Sequence, residues 1–163
     1  ASVRVGNLVG ANASEDSRFA AFCGIGFSIS LAFINAAVLI LYGEYLASFF
    51  NPNSLIISLA STLLIVAAIF QITDGIAFSG MGALRGYKDT RVPLFIMILA
   101  YWVVGMPLGY NISLTENIIE PIGALGMWIG MAVGMFILSI LVLWRLNLVS
   151  RNSTQFQQFY ETN

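Results

Sequence analysis

Thirty residues from Leu55 to Leu84, LIISLASTLLIVAAIFQITDGIAFSGMGAL, carry a single charge, Asp74. A run so long and so apolar has few ways to fold. As a helix it would be about 45 Å long, more than the roughly 30 Å of a bilayer core. Inside hydrocarbon, only a helix or a closed barrel satisfies its own backbone groups. The run reads as a membrane-spanning helix that must tilt, break or extend past the bilayer. A carboxylate within it costs about 2.5–3.5 kcal/mol on insertion scales, so Asp74 marks a functional position. What it does depends on whether it faces lipid, a neighbouring helix or a wet cavity.

Three more apolar runs share the chain. Phe19–Tyr42 has 24 residues and no charge, and Val92–Tyr110 and Ile122–Trp144 are built alike. Helices are therefore expected at about 19–42, 55–84, 92–110 and 122–144. The whole chain is 58% hydrophobic and 9% charged, with mean hydropathy +0.86, whereas soluble domains carry about 25% charged residues. The expected class is an all-α integral membrane protein with four transmembrane helices. Seven basic residues in three clusters form no continuous basic face, which argues against nucleic acid. One cysteine excludes an internal disulfide, and the lack of histidine leaves almost no soft metal ligands; a hard cation held by oxygen remains open. No nucleophile–base pair and no phosphate-cradling loop is present, so no enzyme and no cofactor is expected.

The segments between the runs add polarity and direction. Residues 1–17 are small, Gly-rich and polar and read as a connecting loop or helix end, with Asn12 as a candidate N-cap and Glu15 and Asp16 in the first turn of the next helix. The chain begins in mid-pattern with no cleavable leader, which suggests a piece of a longer polypeptide. Asn51-Pro52-Asn53 marks a turn. Gly75, Gly80 and Gly82 suggest local loosening after Asp74. In the RGYKDTR loop, Thr90 can cap the third helix, with Pro93 in its first turn. Pro107 should kink or end that helix and is a hinge candidate. Glu116 and Glu120 fall in a polar loop, and Pro121 opens the fourth helix. There Gly126, Gly130 and Gly134 form a small-xxx-small row suited to close packing. Residues 146–163 read as a polar, fraying tail. With four spans, all seven basic residues fall on one side. The positive-inside rule then makes that side cytoplasmic, with both ends of the chain on it.

A carboxylate in low dielectric can hold a proton, or exchange it for a metal cation or a cationic drug, and so couple two fluxes. The alternative is a structural acid bonded to a neighbouring helix. Gln71, one helical turn away on the same side, can offer an amide oxygen to an ion or bond between helices. Thr73 points about 100° away and reads as a neighbour. Phe70, Phe78, Met81 and Tyr101 are candidates for a substrate path, since aromatic and Met surfaces adapt to varied apolar ligands; the first three serve equally as lipid-facing residues. Arg85, Lys88, Asp89 and Arg91 form either a latch or a topology-setting loop.

Several stretches together resemble one family. Val3-Arg4-Val5-Gly6-Asn7, Gln71-x-x-Asp74, Leu84-Arg85-Gly86-Tyr87-Lys88-Asp89-Thr90, Tyr101-Trp102-Val103-x-Gly105-x-Pro107-x-Gly109-Tyr110 and Glu120-Pro121-x-Gly123-x-x-Gly126-x-Trp128-x-Gly130 are similar, in order and spacing, to the C-terminal part of NorM-type multidrug and toxic compound extrusion (MATE) transporters. The resemblance runs from Ala1 to about Arg145. It implies a twelve-helix antiporter of two lobes, of which this chain would be the end of the eighth helix and helices nine to twelve. It implies exchange of Na⁺ or H⁺ for organic, often cationic, drugs across the cell inner membrane, with Asp74 in the coupling-ion site and no metal beyond Na⁺ there. The partners it implies are the lipid bilayer, the organic cations, and the N-terminal lobe with the seventh and eighth helices of the same polypeptide. Some relatives carry a tyrosine where this chain has Phe70, so their ligand shell does not carry over unchanged. The competing readings are a lipid-linked saccharide flippase of the same superfamily and a non-transporting membrane subunit.

Overall fold

The computed structural model describes residues 1–50, 52–115 and 122–161, with side chains through 153. Glu116, Glu120, Pro121 and Asn51 lie outside the described residues.

Four antiparallel helices are long and apolar enough to cross a membrane. A short helix α1 (Ser2–Gly10) leads into α2 (Ser14–Ser48), the first span. The second span is α3 (Ser54–Gly86). The third, Arg91–Leu114, is made of α4 (Arg91–Ile98), a π-helical segment (Leu99–Gly105) and α5 (Met106–Leu114). The fourth is α6 (Ala124–Glu161). α3 packs between α2 and α6, and the third span packs on the other flank of α6. The core is thin and built of small or flexible side chains, with Ala21, Ala77, Ala83, Leu84, Met135, Leu138, Val142 and Leu146 buried. Large apolar side chains face outward along every span, as a solvent of acyl chains permits.

Each helix outruns its apolar segment. α2 begins at Ser14 with Glu15 and Asp16 in its first turn, where acids suit the positive end of the helix dipole. Asn12 does not cap it. Asn12 takes a positive φ of 57° beyond the end of α1, and the Ala13 amide donates back to the Leu8 carbonyl at 2.9 Å. That is the left-handed closure of a helix C-terminus, which Asn tolerates. Residues 2–10, expected as connecting loop or helix end, are thus helical, and so is the expected tail, as far as Glu161.

Two glycine expectations resolve differently. α3 runs unbroken past Asp74, so the glycines there do not loosen it. Instead they admit neighbours. A Cβ on Gly75 would touch the Ser28 carbonyl of α2 at 3.4 Å, and one on Gly80 would meet Val142 of α6 at 2.6 Å. In α6, Gly126, Gly130 and Gly134 do form a packing row. Its partner is a second row, Gly105, Gly109 and Ser113, on the third span: Gly130 lies against Gly109, Gly126 against Ser113, and Gly134 against Gly105.

The third span does not end at Pro107 but runs on to Leu114. The π segment lies directly before the proline. Its wider turns change the register just where Pro107 has no N–H to give.

Candidate functional site

Asp74 lies near the middle of α3, partly buried. α3 touches α6 through Gly80 and touches α2 through Gly75. The Tyr101 hydroxyl donates to the Met135 sulfur of α6 at 3.7 Å. One turn before Asp74, the Gln71 side-chain oxygen Oε1 is buried and accepts no hydrogen bond. A buried acceptor without a donor costs about 1–3 kcal/mol, so this oxygen is poised for a donor or a cation. Thr73 is engaged locally: its hydroxyl donates to the Phe70 carbonyl at 2.8 Å. Among the described residues no group of three acidic, histidine or cysteine side chains comes together. From this chain, an ion at Asp74 would find one carboxylate, one amide oxygen and little else.

The residues expected along a substrate path divide between three pockets. Phe78 and Met81 line one of about 340 Å³ with Arg85, Asp89, Pro93 and Met97. Tyr101 lines another of about 280 Å³ with Met97, Ile98, Trp102, Met106, Met127 and Met131. Met97 is common to both, so the two adjoin, the first between α3 and the third span and the second between the third and fourth spans. Phe70 stands apart. It lines a pocket of about 310 Å³ with Val66, Ile69, Thr73, Ile129 and Phe136 on the other side of the α3–α6 contact. Its ring meets Trp128 edge-on, with centroids 6.3 Å apart. The methionines around Tyr101 were not singled out from the sequence. Their signal was there, in the four-residue spacing of Met127, Met131 and Met135 and of Met97 and Tyr101.

The end of the bundle that carries the basic residues is tied together. Asp89, after α3, accepts from Arg145 Nε of α6 at 2.7 Å. Tyr87 shares a hydrogen bond of 3.0 Å with Ser17 of α2, and Arg18 donates to Asn147 of α6 at 3.3 Å. Burial raises the Tyr87 phenol above its ordinary value, against the opposing effects of the Ser17 bond and the Arg18 charge. It therefore stays a neutral hydrogen-bonding group at physiological pH. α1 is pinned here too: a Cβ on Gly86 would meet the buried Val5 at 2.8 Å. The Val3–Gly6 and Leu84–Thr90 motifs, far apart in sequence, thus meet. Of the charged loop residues, Asp89 pairs within this chain, while Arg85, Lys88 and Arg91 stay exposed.

Four long apolar helices with one embedded acid define a multi-pass membrane protein. The MatE family model matches residues 1–111, and the chain belongs to that family. It is 36% identical over 160 residues to multidrug resistance protein PmpM of Pseudomonas aeruginosa, covering 98% of this chain and 33% of that protein. It is 40% identical over 160 residues to multidrug resistance protein NorM of Vibrio vulnificus, covering 98% of this chain and 35% of that protein. Against multidrug resistance protein MdtK of Yersinia pestis it is 36% identical over 156 residues, covering 96% of this chain and 34% of that protein. The chain thus spans about a third of the length of these relatives. Its fold matches the crystal structure of the eukaryotic MATE transporter AtDTX14 with a TM-score of 0.80 at 17% identity, over 96% of this chain and 35% of that one.

Proposed function

We propose that the polypeptide containing this segment exports varied organic cations in exchange for Na⁺ or H⁺, with Asp74 as part of the coupling site and Gln71 beside it. Membership of a family whose relatives bear the name multidrug resistance protein supports multidrug efflux. The observation that carries the coupling role is the pairing of a lone carboxylate with a buried, unpartnered amide oxygen one turn away. A carboxylate in such a place is neutralised by a proton, a metal ion or a drug cation, and holding one excludes the others. That competition is the physical basis of exchange: release of the inward-moving cation frees the site for the outward-moving one. The adjoining pockets lined by Phe78 and Met81 and by Tyr101 are the candidate substrate path. Phe70 would support the site through Trp128. Pro107, next to the π segment, is the candidate hinge, since wide-turn segments in helices recur at functional positions. The clustering of basic residues at one end of the bundle supports an inner-membrane orientation with that end in the cytoplasm.

The test uses the full-length protein in vesicles, with efflux of a fluorescent organic cation driven in turn by a Na⁺ and a H⁺ gradient. Asp74→Asn is expected to lower gradient-driven efflux by at least about tenfold, because the amide cannot exchange a proton for a cation. Equal efflux in wild type and variant would remove Asp74 from the mechanism. No efflux from the wild type under either gradient would end the antiporter reading.

A further inference from the structure

We propose that the pocket of about 340 Å³ between α3 and the third span binds one anionic phospholipid, its phosphate held by Arg85 and Arg91 and the upper part of an acyl chain laid along Phe78, Met81, Leu94 and Met97. The sequence sets both arginines at the same level. Arg85 is the first charge after the apolar run that ends at Leu84, and Arg91 is the last before the run that begins at Val92. The two helices run antiparallel, so both charges stand where hydrocarbon gives way to headgroups, and both line this one pocket. α3 and the third span each pack on α6, and the groove opens between them, with Phe78 and Leu94 half-exposed in its wall. From the arginines the apolar wall runs inward. Phe78 lies seven residues before Arg85 and Met97 six after Arg91, which carries the wall about 10 Å toward the bilayer centre.

Charge decides the occupant. Neither arginine makes an ion pair or a hydrogen bond among the described residues. Asp89, the acid in this wall, is already engaged by Arg145 at 2.7 Å, and the Thr90 hydroxyl makes no cap bond to α4. The pocket therefore offers two guanidinium groups and a hydroxyl beside an apolar trough. Guanidinium binds phosphate oxygens through paired N–H bonds, and basic pockets between spanning helices take acidic headgroups. An organic cation would meet two like charges here, which narrows the candidate substrate path to the pocket at Tyr101. A free phosphate would leave the apolar wall uncovered. A helix from the rest of the polypeptide would cover that wall but gain nothing from the arginines.

The experiment uses the full-length protein in nanodiscs of equal parts phosphatidylglycerol, which is anionic, and phosphatidylcholine, which is not. A photo-crosslinking residue, p-benzoylphenylalanine, replaces Leu94, and mass spectrometry identifies what is attached there after irradiation. Phosphatidylglycerol is expected to exceed phosphatidylcholine by at least about fivefold. That preference should disappear in the double variant Arg85→Gln, Arg91→Gln. It should also fall in about 1 M salt, where the screening length is about 3 Å, a measurement that needs no arginine variant to fold. Equal attachment of the two lipids would overturn the proposal, as would a preference indifferent to salt or to the loss of both arginines. Attachment to another part of the polypeptide in place of lipid would show that a helix fills the groove and overturn it too. The proposal requires the four helices to cross a bilayer but not the antiport reading. Its failure would return Phe78 and Met81 to the candidate path and leave the role of Asp74 to the efflux experiment above.

Discussion

At the residue scale, the basic end of the bundle shows how few groups fix a helical membrane segment. Asp89 is mostly shielded and its partner Arg145 about two-thirds so, at 14% and 32% exposure. Their contact lies between a surface pair, of little worth, and a buried one, whose breakage is costly. Next to it, Lys88 takes a φ of 63°, a left-handed conformation that costs a side chain with a Cβ roughly 1 kcal/mol. The strain closes α3: the Lys88 amide donates to the Arg85 carbonyl and the Asp89 amide to the Leu84 carbonyl, both at 3.0 Å. Asp89 is thereby turned toward α6. Lys88→Gly should raise stability by about 0.5–1 kcal/mol, read as a higher melting temperature of the full-length protein in detergent. A fall would mean that the lysine side chain has a contact of its own.

At the element scale, the pairing of α6 with the third span is decided by the absence of side chains. Gly105 and Gly109 face Gly130 and Gly134 so closely that a Cβ on Gly134 would meet the Ala100 carbonyl at 2.7 Å. Without a hydrophobic drive between helices in lipid, such contact supplies the packing energy directly. Gly130→Ala is expected to destabilise by about 1–3 kcal/mol, the usual cost of overpacking. Gly26→Ala, where a Cβ meets nothing within 4 Å, should be neutral or slightly stabilising. Thermal melts of both variants check the contrast; equal effects would show that the glycine rows are not the contact. The row in α6 was legible from its four-residue spacing. Its partner row was less so, because Pro107 and the uncertain register of that helix obscured which of its residues line up.

For the whole molecule, the distribution of charge predicts sidedness. With Cys23 replaced by serine and Lys88→Cys introduced in the full-length protein, a membrane-impermeant maleimide should label everted vesicles and spare right-side-out ones. The opposite pattern would invert the topology. Both ends of this segment and the α3–α4 connection sit at one end of the bundle, knit by Tyr87–Ser17, Arg18–Asn147 and Asp89–Arg145. At the opposite end the third and fourth spans are joined as well: the Ser113 hydroxyl donates to the Gly123 carbonyl at 2.7 Å, and the Ile122 and Gly123 amides donate to the Ile112 and Ser113 carbonyls. The bundle is thus tied by hydrogen bonds at its ends and held along its length mainly by shape.

Hydropathy and charge order were enough to determine four spans, their antiparallel course, the gathering of basic residues at one end, and Asp74 as the lone charge in its apolar run. Those properties follow from the cost of exposing polar groups to hydrocarbon, which acts on each segment separately and so can be read from each in turn. The tertiary structure alone decided that Phe70, Phe78 and Tyr101 line three different pockets, that Met97, Met106, Met127 and Met131 meet, that Gln71 keeps an unpartnered oxygen, and that Asn12 closes one helix instead of opening the next. Each of these depends on how two or more helices are rotated against one another. That rotation is set by contacts between glycines and small side chains whose partners lie far away in the sequence.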